Sequence, residues 1–78
     1  MKIVLDPHAV FQIARRGIPV ELVEATVNKP DKVENREDGK ISFLKCFPEK
    51  GKMLRVVARA DDHRYVITAY FDRRQPCV

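Results

Sequence analysis

The chain has no tryptophan, only three glycines and only two cysteines among its 78 residues. The shortage of glycine excludes the Gly-rich loops that cradle nucleotide phosphates, because each of the three fits a turn or a helix end. Cys46 and Cys77 lack the C-x-x-C spacing of a zinc or redox motif, so the expectation is two reduced thiols in a cytoplasmic protein. No apolar run approaches the roughly 18 residues of a membrane span. "MKIVLDPH" reaches Asp6 and Pro7 directly after Ile3, Val4 and Leu5, too soon for the apolar core of a signal peptide. Ser-His-Asp arrangements are missing too. His8 and His63 have no ligand-spaced partner, and Asp61-Asp62-His63 reads as a solvated turn. Neither a metal nor a cofactor is expected.

The composition is that of a globular chain, 45% apolar and 33% charged, with no repeat or low-complexity stretch. Its length suits one domain, residues 1–78. The net charge of +4 is unevenly placed. Residues 1–40 hold seven Lys/Arg and seven Asp/Glu, whereas residues 41–78 hold eight and four. The excess therefore belongs to the C-terminal half, as a basic patch would.

"KIVL" (2–5) is a short strand candidate. Asp6-Pro7 then reads as a helix N-cap followed by Pro at the first helical position. Val10, Ile13, Ala14 and Gly17 recur at helical spacing and predict the buried stripe of this first helix. Arg15 and Arg16 suit its negative C-terminal end, and Gly17 its left-handed stop. A second helix is expected from Pro19 at its first position, with Val20, Val23 and Val27 as its stripe. "NKPD" (28–31) ends it, since the residue before proline avoids the helical region.

Beyond Pro30 the pattern becomes strands: "KVENR", the Asp38-Gly39 turn, "KISFLKCF", a Pro-Glu-Lys-Gly turn, "KMLRVVARA", "DDHR" and "YVITAYF". Short links predict an antiparallel meander, giving an α+β fold of order (β)ααββββ with two N-terminal helices on one sheet face. Alternation puts Leu54, Val56, Ala58 and Ala60 toward the helices and Met53, Arg55, Val57 and Arg59 on the other face. In the last strand, Tyr65, Ile67, Ala69 and Phe71 form the more apolar set, opposite Val66, Thr68 and Tyr70.

Arginines beside a tyrosine on an open sheet face suit a phosphodiester. Guanidinium groups bind phosphate oxygens in pairs, and tyrosine stacks on a base or moves a proton. RNA cleavage by its own 2′-hydroxyl needs no metal. Arg55, Arg59, Tyr70 and His8 are the candidate catalytic residues. Arg16, Lys45, Thr68, Arg73 and Arg74 are candidate nucleic-acid contacts. The competing reading of each is structural: a helix-end charge, a shield over apolar neighbours, or a solvated side chain.

"HAVFQIARRGI", then "VELVEATVNKPDKV", then strands ending "YVITAYF" resemble a family of small uncharacterised domains. Its members open with His-Ala, continue with Arg-Gly-Ile and a Glu-Val-rich helix, and end with Val-Ile-Thr-x-Tyr. The family is distantly similar to bacterial toxins of the BrnT and RelE/ParE-like group, many of which cleave RNA without metal. The resemblance places His8, Arg16, Gly17 and Ile18 on the N-terminal motif and Thr68 and Tyr70 on the terminal strand. It implies a RelE/BrnT-like fold. The chain departs from the pattern at Gln12, where an Arg is frequent, and at Pro19, where a capping Ser is frequent.

Three functions fit the sequence: a metal-independent toxin-type endoribonuclease, a non-catalytic nucleic-acid-binding module, and a protein-interaction domain whose sheet takes up an acidic chain. The expected partners are accordingly RNA, an antitoxin-like protein, or a second copy in a homodimer.

Overall fold

A computed structural model describes residues 2–75 and 77. It contains β1 (Val4–Leu5), α1 (Pro7–Arg16), α2 (Val20–Asn28), β2 (Lys32–Asn35), β3 (Lys40–Phe47), β4 (Lys52–Arg59) and β5 (Asp62–Phe71). The strands form one mixed sheet in the order β1-β5-β4-β3-β2. The expected meander accounts for β2 to β5, which are antiparallel; β1 adds a short parallel pairing with Tyr65 and Val66.

Local chemistry sets the helix ends. Asp6 Oδ1 accepts the His8 N–H at 2.8 Å, satisfying one donor of the first turn. At the other end, Gly17 adopts φ 66°. Its N–H bonds Ala14 O, and the Ile18 N–H bonds Ile13 O, which closes the helix in a Schellman pair. Pro19 lies one place earlier than expected. It is the N-cap of α2 with ψ 142°, and Val20 is the first helical residue.

The helices cover one side of the sheet. Ala9, Ile13, Ile18, Val23 and Val27 pack with Ile41, Phe43, Leu54, Val56 and Ala58. The α1 stripe differs from the expected one: Ala9 and Ile13 are buried, while Val10 is 50% exposed and Ala14 faces outward. Gln12 and Arg16, rather than Val10 and Ala14, share the inward-turning side with them. Val20 is similarly exposed, leaving Val23 and Val27 to bury α2.

The alternation expected in β5 fails halfway along. Val57 pairs with Thr68, but Ala58 pairs with Val66, so Ile67 is an extra residue without a β4 partner. Such a bulge reverses the facing of the residues just beyond it, up to a second register shift between Ala58 and Arg59. Val66 therefore joins Ala69 in the helix-side core, and Tyr65 moves to the opposite side.

The side away from the helices is not an open wet surface at its centre. Ser42 and Leu44 are fully buried there, and Val57 is nearly so. Arg55 pairs with Leu44 on this side, and Cys77 is disulfide-bonded to Cys46 there. This corrects the expectation of two reduced thiols. The spacing carried no signal because it is the fold that brings the two Cα atoms to 5.2 Å, within bridging range.

Candidate nucleic-acid interface

Arg55 occupies the middle of the helix-free side. Register sets it between Leu44 of β3 and Tyr70 of β5, with Lys32 of β2 beyond Leu44. Its Nε donates to Asp72 Oδ2 at 2.9 Å and its Nη1 to Glu34 Oε1 at 2.8 Å. Lys32 and Arg74 extend the array, lying 3.3 Å from Glu34 and 3.8 Å from Asp72. Burial works to lower the Arg55 pKa, but Glu34 and Asp72 outweigh it, so the pKa is raised. Glu34 is held below the usual carboxylate range first by the Arg55 hydrogen bond. For Asp72, burial pushes upward, but the Arg74 N–H and the Arg55 guanidinium together bring the pKa down. Arg55 is thus the centre of a partly buried ionic array, with its charge matched on both sides.

Arg59 is matched as well. Its Nε and Nη2 grip the two oxygens of Asp61 at 2.9 and 2.8 Å. Its guanidinium lies 5.8 Å from the Tyr65 ring centroid, and the Tyr65 O–H donates to Asp6 Oδ2 at 2.7 Å. That bond lowers the Asp6 pKa and raises that of Tyr65. The fold thus links Arg59 to the capped start of α1, where His8 is exposed. His8 and Arg16 stand at opposite ends of α1, about 12 Å apart along its axis.

Arg16 behaves differently. It reaches the part of β5 that β1 leaves unpaired. Its Nη1 donates to Ala69 O at 2.9 Å and approaches Thr68 Oγ1 at 3.4 Å. Its guanidinium carbon stands 5.8 Å from the Tyr70 ring centroid. No carboxylate forms a salt bridge with it among the described residues. One strand position on, Lys52 Nζ lies 5.2 Å from the Phe71 ring centroid. Beside it is a groove of about 340 Å³, whose lining includes Lys52, Met53, Phe71, Asp72, Arg73 and Gln75. The two rings, each near a cation, lie on opposite faces of the sheet, Tyr70 beside Arg55 and Phe71 beside core residue Leu54.

The expected site residues thus separate into three places. Arg16, Thr68 and Tyr70 come together, with Arg55 next to Tyr70 across the β4–β5 pairing. Arg59 and His8 belong to the Asp6–Tyr65 end. Arg73 and Arg74 follow β5, with Arg74 paired to Asp72. Lys45 is excluded from the Arg55 side, since it pairs with core residue Leu54 and so faces the helices; its Nζ caps α2 through Lys29 O at 3.0 Å. Glu34, Asp72, Tyr65 and Asp6 were not anticipated as partners. Only long-range pairing brings them to the arginines and to each other.

Among the described residues no group of three or more His, Cys, Asp or Glu side chains could hold a metal ion. Among the described residues no helix is long and apolar enough to cross a membrane. No curated protein and no solved structure matches the chain. The family described as a domain of unknown function, DUF4258, matches residues 5–71, from β1 to the end of β5, and the chain belongs to that family.

Proposed function

We propose that the domain is a nucleic-acid-binding module that takes single-stranded RNA along the outer margin of β5. The observation that carries this reading is Arg16 laid over Tyr70 with no carboxylate partner, beside the Thr68 hydroxyl. Arg55 and Arg59 already have their charge matched, so a phosphate competes with carboxylates for them. At Arg16 it meets donors left over from a single backbone acceptor. Tyr70 supplies a ring for stacking.

Fluorescence anisotropy with labelled oligouridine, measured across a salt series, tests the proposal. Arg16→Ala should weaken binding and lower the salt slope by about 0.7, the value for one phosphate contact on a single strand. Arg59→Ala should leave both nearly unchanged. Absence of binding at low salt, or equal loss in the two variants, rejects it.

A toxin-type endoribonuclease is the second reading, favoured by one observation: Tyr70 lies between Arg16 and its cross-strand neighbour Arg55. In that role the phenol moves a proton while Arg16, with Arg55 behind it, steadies the developing phosphorane charge. His8 and Arg59 act there only after closing on the RNA from the α1 N-terminal end. Cleavage in chelator, leaving cyclic phosphate ends and lost in Tyr70→Phe, supports catalysis. RNA that stays intact while bound leaves the binding module alone.

A further inference from the structure

The outer face of α1 carries a second surface that RNA binding does not use. Pro7, Val10, Phe11 and Ala14 recur at helical spacing on the side opposite Ala9 and Ile13, and all four are exposed. Phe11 is 62% exposed and Val10 50%, the first being the most exposed large apolar side chain among the described residues. Two members of this stripe, Val10 and Ala14, are ones the sequence pattern presented as core. The fold buries its neighbours instead and leaves it without a covering element.

We infer that this face docks an amphipathic, acidic protein segment whose apolar residues cover Val10 and Phe11 and whose carboxylates meet Arg15. Charge selects the occupant. Between Pro7 and Arg16 the helix has no acidic residue, and Arg15 and Arg16 close its last turn. Arg15 forms no salt bridge among the described residues, and it borders the stripe together with His8. A second copy packed antiparallel on the same face would offer Arg15 only the Asp6 carboxylate, which already accepts the His8 N–H and the Tyr65 O–H. A segment with leucine-like anchors and flanking carboxylates satisfies both the apolar stripe and its basic border.

The probe is a helical peptide of about 20 residues with Leu at a and d and Glu at e and g. Its control carries Lys in place of Glu. Backbone amide shifts of the whole protein are followed by NMR during titration. The acidic peptide should move the signals of Val10, Phe11, Ala14 and Arg15. Phe11→Ser should raise its Kd by roughly ten-fold or more, as loss of a central anchor does, and Arg15→Glu should also weaken it. Both positions are exposed, so an unchanged circular dichroism spectrum confirms that each variant remains folded. Equal binding of the Lys peptide, shifts centred elsewhere, or no binding overturns the inference. A concentration-dependent dimer dispersed by Phe11→Ser overturns it in favour of a second copy.

Discussion

The guanidinium of Arg55 and the carboxylate of Asp72 meet at 2.9 Å on the helix-free side, with the Asp72 side chain only 3% exposed. Breaking this pair from the arginine side strands a buried carboxylate. Arg55→Ala should therefore destabilise the fold by about 3 kcal/mol, the lower end for a buried pair, because Glu34 is partly solvated. A domain of this length has a total stability of only about 4–12 kcal/mol. The urea midpoint of the variant reads the loss. A midpoint within error of the parent would show that the array contributes nothing.

Acid should weaken the same array. The folded-state pKa values of Asp72 and Glu34 both lie below their ordinary values. A carboxylate with a depressed folded pKa contributes its full stabilisation above the unfolded pKa of about 4 and loses it as pH falls through the folded value. Thermal midpoints should hold above about pH 5 and decline below pH 4, less steeply in Arg55→Met. A parallel decline in that variant would assign the acid sensitivity to other groups.

Reducing Cys46–Cys77 should also destabilise the domain. The bond joins residues 31 apart in sequence, and chain entropy for a loop of that size gives about 3–4 kcal/mol. Denaturant midpoints with and without dithiothreitol, compared with Cys77→Ser, measure this. The parent should respond to the reductant and the variant should not. An unchanged parent midpoint contradicts the stabilising role of the tail anchor.

Ser42 gives the opposite sign. Its side chain is fully buried, and Oγ has no hydrogen-bond partner among the described residues. A buried hydroxyl without a partner costs about 1–3 kcal/mol in desolvation. Ser42→Ala should leave stability unchanged or raise it by up to about 1 kcal/mol, as read by the same midpoints. A clear loss would mean that the hydroxyl is bonded.

Much of the architecture was legible because it is written locally. Asp6-Pro7 and Arg-Arg-Gly bracket α1, and Asp38-Gly39 and the Pro48–Gly51 turn separate strands whose side-chain period is two. The bulge at Ile67 was not legible, since no local residue type demands it; with it went the facing of Tyr65 and Val66. In the α1 stripe Ile13 is buried as expected but Val10 and Ala14 are not, because the helix has apolar residues on two faces and only packing chooses Ala9 with Ile13 over Val10 with Ala14. For the candidate site, Arg16, Thr68 and Tyr70 were named from sequence. What separated them from Arg55 and Arg59 was the position of carboxylates distant in sequence or across a turn, which no periodicity reveals.

The RNA reading is tested most directly by tyrosine fluorescence, because the chain has two tyrosines and no tryptophan. In Tyr65→Phe the emission comes from Tyr70 alone, and in Tyr70→Phe from Tyr65 alone. Oligouridine added to Tyr65→Phe should quench the emission by stacking, reversibly with salt, and Arg16→Ala in that background should require more RNA for the same quench. Tyr70→Phe should remain bright. Quenching confined to Tyr70→Phe, or absent from both at low salt, would contradict binding along the Arg16–Tyr70 margin.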